Sequence, residues 1–275
     1  MTTNNATNNF SSSPLTTLGD LYTFSTVNAR LPIGNSGQMV IVNSTSASGL
    51  AYDFPALDVS WSYEIYHDFM SVPTTSEWVL SSTTTGTGAS IVSNNTTITD
   101  GSRIGEIIME SGSTSTGLCA VSGKPFYTGN GQIIFDCPIN LDQLSNSTDT
   151  FTINIGLSNS TAGVGQNNGI YFNYTNGINS GRFQCVCNLA GTSTTADSGV
   201  TVAASTWYNL QIIVNAAASS VEFYINQSLV STITSNIPSA TFISGVIILS
   251  KSVGTDNVNL RADYMRQRKD FTNQR

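Results

Sequence analysis

The feature that most constrains this chain is a period-two alternation of apolar and polar residues, sustained from about Trp61 to Arg266. It is seen in Phe151-Thr-Ile-Asn-Ile155, Tyr208-Asn-Leu-Gln-Ile212, Val221-Glu-Phe-Tyr-Ile225 and Phe242-Ile-Ser-Gly-Val-Ile-Ile-Leu249. Clusters of Gly, Asn and Ser separate these runs. Alternating residues on a strand point to opposite faces, so such runs read as strands with one face buried. Many short strands joined by turn residues make an antiparallel sandwich. Charged residues are only 10% of the chain. Long exposed helices want Glu, Lys and Arg on their outer faces, so this composition disfavours them. Ser, Thr and Asn supply the polarity instead.

The net charge of −7 is unevenly placed. Residues 1–260 hold 5 basic and 15 acidic groups, whereas 261–275 hold 5 basic and 2 acidic. An acidic body lacks the basic surface that neutralises phosphates, so no nucleic-acid partner is expected. The basic end, 268–275, reads as a tail, either solvated or docked on an acidic surface. No stretch of 18 apolar residues exists, so no membrane insertion is expected. Met1–Asn9 is polar and uncharged, unlike a signal peptide. Cys119, Cys137, Cys185 and Cys187 are too few for a disulfide scaffold. They leave open buried thiols, a Cys119–Cys137 bridge or metal ligation. Cys185 and Cys187 share one strand face, with no histidine nearby to complete a metal site.

Residues 1–13 are polar and of low complexity, an arm unable to offset its own ordering entropy. Residues 14–53 read as a small β unit, with a strand at Leu21–Phe24, a turn through Arg30–Gly37 and a strand over Gln38–Asn43. The unit is too short to bury a core alone. It carries Leu15-Thr-Thr-Leu-Gly-Asp-Leu21, then Arg30-Leu31-Pro32-Ile33-Gly34, then Gly37-Gln38-Met39, and closes on Gly49-Leu50 with Tyr52. In these pieces it resembles the short module recurrent in phage tail-fibre, head-fibre and related virion proteins. The resemblance implies a virion protein, a capsid or tail-fibre decoration. It further implies trimeric packing, other virion proteins as partners, and an assembly surface at Leu21, Arg30, Leu31, Pro32 and Ile33.

The last hundred residues define the sandwich further. Trp207-Tyr208 opens a strand, Asn215–Ser220 turns, and Val221-Glu-Phe-Tyr-Ile-Asn226 pairs back. Gln227-Ser228 turns again, Leu229–Ile233 follows, and Asp263-Tyr264 sits on a final strand. This order resembles the concanavalin A-like lectin/glucanase (laminin-G-like) jelly roll, with Gln227 where that family commonly has Gly. The expected organisation is therefore all-β. An arm (1–13) and a β attachment module (14–53) precede an antiparallel, concanavalin A-like sandwich (54–267) and the tail (268–275). Trp207, Phe223, Ile225, Val246, Ile248 and Tyr264 are expected in its core, with Asp263 pointing away.

Glycanases on this fold carry paired acids on one strand, about 5–5.5 Å apart when they retain configuration. Glu106 with Glu110, and Glu64 with Asp68, are each four apart and too distant along a strand. The one histidine, His67, has Asp68 on the opposite strand face. No enzyme activity is expected. Asp142, Asn146 and Asp149 offer too few ligands for calcium, so neither metal nor cofactor is expected. Tyr127, Asn130, Gln132, Tyr171, Asn173, Tyr174 and Asn176 have the side chains that bind sugars, aromatic faces and hydrogen-bonding amides. In Gly169–Asn176, Ile170, Phe172 and Tyr174 share one face. Tyr171 and Asn173 share the other, an exposed pair that could meet a host-surface glycan. The expected function is a structural virion protein displaying a lectin-like sandwich, with a dedicated host-glycan adhesin as the alternative.

Overall fold

The computed structural model describes residues 21–24, 28–31, 39–42, 50–53, 60–73, 80–93, 103, 105–162 and 166–273. The chain divides into two units, Met1–Leu57 and Asp58–Arg275. In the first unit, β1 (Leu21–Phe24) pairs with β2 (Asn28–Leu31), and β3 (Met39–Val42) pairs with β4 (Leu50–Asp53). Arg30 and Leu31 thus lie in a strand, not in the turn expected there. Leu31 stands opposite Leu21, and Arg30 opposite Tyr22. Pro32 and Ile33 lie outside the described residues. Val42 is 86% exposed, and Leu21 and Val40 are each 40% exposed.

The second unit begins with β5 (Ser62–His67), β6 (Leu80–Thr85), β7 (Ser90–Ser93), β8 (Ile107–Glu110) and β9 (Leu118–Gly123). Then come β10 (Phe126–Tyr127), β11 (Gly131–Leu141), β12 (Phe151–Ser158), β13 (Gly169–Thr175), β14 (Arg182–Leu189) and β15 (Thr192–Thr201). The last are β16 (Trp207–Val214), β17 (Val221–Ile225), β18 (Ser228–Ile233), β19 (Phe242–Lys251), β20 (Asn259–Ala262) and β21 (Met265–Phe271). One sheet of eight strands runs β15-β14-β13-β12-β19-β9-β6, with β10 also on β19. A second of nine runs β18-β17-β16-β11-β20-β8-β7, with β21 between β11 and β5. Every pairing is antiparallel. Among the described residues the only helix is a three-residue 3-10 turn at Asn179–Gly181.

Alternation sets which side chains meet between the sheets. Ile153, Ile155, Phe172, Ile247 and Leu249 from one sheet face Phe135, Leu210, Ile212, Phe223 and Ile225 from the other in one continuous core. Phe172 meets Phe223 edge-on at 5.2 Å, a favoured aromatic geometry. All four cysteines are buried free thiols. Cys185 and Cys187 share the core face, as their spacing requires. The β17–β18 hairpin forms without glycine: Asn226 (φ 50°) and Gln227 (φ 67°) both take left-handed backbone. Asn226 Oδ1 accepts the Asn209 N–H at 2.8 Å and holds that turn.

Three placements differ from the sequence expectation. Trp207 is half-buried on the outer face, because Tyr208, Leu210 and Ile212 take the inner one; Arg103 stacks on its ring at 3.6 Å. Val246 and Ile248 are buried, but in a small cluster with Ala120 on the sheet face away from the main core. Asp263 is buried and ion-paired with Arg103 at 2.7 Å, whereas Tyr264 is only half-buried. The cause lies in β11. Pro138 has no N–H to give a ladder, and here two residues of β11 face three of the chain between β20 and β21. That extra residue, a bulge, shifts the alternation so that Ala262 and Met265 both point inward.

The basic end is not a tail from 268. Arg266, Arg268 and Lys269 lie within β21, and Arg266 is ion-paired with the buried Asp136.

Candidate functional site

The outer face of the eight-stranded sheet is the candidate site. Its side chains are ordered by register, because residues paired across strands share a face. Tyr171, Gly156, Val246 and Ser122 form one row across β13, β12, β19 and β9. Asn173, Asn154, Ile248 and Ala120 form the next. On the other side of the first row stand Gly169, Ser158 and Ser244.

Tyr171 and Asn173 do share this face, as alternation requires, but Tyr171 is not exposed. It retains 8% of its surface. Its ring lies down over Gly169, where a Cβ would come within 2.8 Å of Cε1. Glycine at 169 lets the ring rest on backbone instead of standing up as a platform. Burial raises its phenol pKa, with the Asn188 amide opposing that shift, so it is a poor base at neutral pH. Asn173 is half-buried and donates through Nδ2 to Asn154 Oδ1 at 2.7 Å. Tyr174, on the other face, belongs to the core, and its hydroxyl accepts the Ser145 N–H. Beside Tyr171, the buried Gln166 amide and Asn188 Oδ1 have no hydrogen-bond partner among the described residues.

Next to this row opens a cavity of 390 Å³, lined by Ser122, Ser158, Ser244, Val246 and the 159–161 turn. Its polar groups are neutral hydroxyls and an amide. Ser158 Oγ donates to Ser160 O at 2.9 Å and accepts its N–H at 3.0 Å, which closes the turn. Such a lining can hydrogen-bond a polyhydroxylated ligand, but it holds no nucleophile–base pair. The sequence signal for it was Ser158 and Ser244 at outward positions of otherwise apolar strands.

The acids have other partners. Glu106 lies just before β8 and is ion-paired with Arg261 at 2.8 Å; Glu110 accepts the Ser90 hydroxyl. Asp68 lies just after β5 and accepts the Tyr66 hydroxyl at 2.9 Å. His67 Nδ1 accepts the Phe69 N–H at 3.0 Å. Asp142 pairs with Arg261, while Asn146 Oδ1 accepts the N–H groups of Thr148 and Asp149. Asp149 in turn accepts the Asp256 N–H. Among the described residues no three metal-ligating side chains gather.

Two packed antiparallel sheets with this strand order define a lectin-like β-sandwich. Within that class the chain belongs to the family described as SO2946-like, C-terminal domain, which matches residues 102–263, more than half its length. No curated protein matches the sequence. Among solved structures it is similar to a protein of unknown function, SO2946 from Shewanella oneidensis MR-1. The TM-score there is 0.58 at 15% identity, over 80% of this chain and 91% of that one. The carbohydrate recognition domain of Emp47p gives 0.51 at 11% identity, over 79% of this chain and 100% of that one. An endo-beta-1,4-glucuronan lyase from the fungus Trichoderma reesei gives 0.51 at 10%, over 74% and 93%. At such identities these likenesses show the fold.

Proposed function

We propose that the protein is a glycan-binding β-sandwich, not an enzyme, displayed on a virion as a capsid or tail-fibre decoration through its N-terminal unit. The observation that carries the glycan reading is the neutral, hydroxyl-lined cavity of 390 Å³ on the outer sheet face. Sugars are recognised by such arrays of uncharged donors and acceptors. The fold shared with the Emp47p carbohydrate recognition domain supports it. Glu106 is held by Arg261 and Asp68 by the Tyr66 hydroxyl, so neither spaced pair presents two free acids, which argues against hydrolysis. The virion reading rests on the fibre-like module in residues 14–53. Apolar residues left open on its hairpins, Val42 and Val40, suit interchain packing in a homotrimer.

A glycan array probed with the full chain tests the first part. Binding to host-surface glycans is expected, weakened at least tenfold by Ser244→Val, which removes a half-buried hydroxyl from the cavity lining. Absence of binding to any glycan would refute the reading. Hydrolysis of a bound glycan would refute the non-enzymatic part.

A further inference from the structure

The strand that floors the hydroxyl cavity also carries one ring of an exposed aromatic pair. Phe242 and Ser244 are two apart on β19, hence on one face and about 7 Å apart along the strand. Phe242 pairs across to Tyr127 on β10, so both rings stand on that face. They meet edge-on with centroids 4.9 Å apart, yet Phe242 is 59% exposed and Tyr127 39%. A folded chain gains little by leaving two large rings open together. Beyond them opens a second cavity, of 530 Å³, whose lining includes Tyr127, Asn130, Ala216, Ser239 and Ala240.

These parts are held rigid. Lys269, 5% exposed, donates to the carbonyls of Tyr127 and Gly129, the latter at 2.9 Å. Thr128 N–H and Oγ1 both reach Thr241 O, at 2.9 and 3.1 Å. The Gly131 N–H reaches Ala216 O, and the Thr272 N–H reaches Asn130 O. The rings and the loop-end cavity are therefore set before any ligand arrives, which lowers the entropy lost on binding.

We propose that the hydroxyl cavity, the Phe242–Tyr127 pair and the loop-end cavity are successive subsites of one groove for a neutral oligosaccharide. This rests on the glycan-binding reading above and extends it from a single sugar to a chain. One unit hydrogen-bonds at Ser122 and Ser244, which both line the hydroxyl cavity. The next lays its C–H face on the rings, where apolar contact and the ring quadrupole favour it. A third reaches Asn130 and Ser239. Neutral sugars are specified because the named lining groups are hydroxyls, amides, methyls and one phenol. Among the described residues, Lys269 beside them has its amine turned inward onto backbone carbonyls, and Lys124 is exposed between β9 and β10 but lines neither cavity.

The test is titration of the full chain with homologous neutral glycans, from one to four units, built on glucose, mannose or galactose. Affinity is expected to rise at least tenfold from one unit to three. Phe242→Ala and Tyr127→Ala should each bring the trisaccharide down toward the affinity of the single sugar. Phe242 is 59% exposed, so Phe242→Ala should keep the parent melting temperature, which is measured alongside; for Tyr127→Ala the readout is the ratio of trisaccharide to single-sugar affinity within the variant. Equal affinity at every length, or a gain that survives both variants, would overturn the groove and leave glycan binding standing. Binding confined to anionic glycans would overturn it too. If no glycan of any kind binds, the parent reading fails and the groove fails with it.

Discussion

At the scale of single residues, burial decides the chemistry of the groups that titrate. Burial pushes the thiols of Cys119 and Cys185 up to about 12, and raises those of Cys137 and Cys187 as well. Above pH about 9 an unfolded chain sheds these protons while the folded one keeps them. Stability is therefore full below that pH and falls as pH rises toward 12. Lys251 and Lys269 act oppositely, since burial lowers both and favours the folded state as pH climbs to their ordinary value. Four thiols against two amines leave a net loss. The urea midpoint should thus be clearly lower at about pH 10.5 than at about pH 8. An unchanged or higher midpoint would contradict it. The same burial governs Tyr171: its residue type and face were readable from alternation, but its exposure depended on Gly169 beneath it.

At the scale of elements, the informative contact is between sheets. Gln267 on β21 is fully buried, and its Oε1 accepts the Gly245 N–H of β19 at 2.7 Å. Its Nε2 donates to Lys124 O at 3.3 Å. Gly245 has to be glycine, because a Cβ would come within 2.8 Å of that oxygen. Gln267→Leu keeps the volume but strands a buried N–H, which should cost about 1–3 kcal/mol in denaturant unfolding. A neutral or stabilising result would mean that the contact is dispensable. The strands through 151–155, 208–212, 221–225 and 242–249 were legible from period two alone. The end of the chain was not. One proline in β11 displaces the alternation at Asp263–Tyr264, and β21 pairs with β5, about two hundred residues earlier in sequence.

At the scale of the whole molecule, every residue of the main core cluster lies beyond Leu57. Deleting residues 1–57 should therefore leave the melting temperature of the sandwich within a few degrees of the parent, since a surface-scale change of under about 0.5 kcal/mol moves it little. On the virion reading, the same deletion should abolish incorporation into particles. A truncated chain that fails to fold would show that the first unit completes the core. Normal incorporation would remove the attachment role.

By itself, the sequence determined the all-β class, the antiparallel sandwich, the inner faces of β13 and β17 and the shared face of Tyr171 and Asn173. These follow from local periodicity, which any strand obeys wherever its partner lies. Only the tertiary structure decided which outward residues stay open to solvent. It laid Tyr171 flat, buried Lys269 under a loop, and set Phe242 beside Tyr127 and two places from Ser244. Those outcomes depend on long-range register: β19 lies between β12 and β9, and β21 between β11 and β5. Pairing of that kind joins residues more than about eighty positions apart, and no local pattern encodes it.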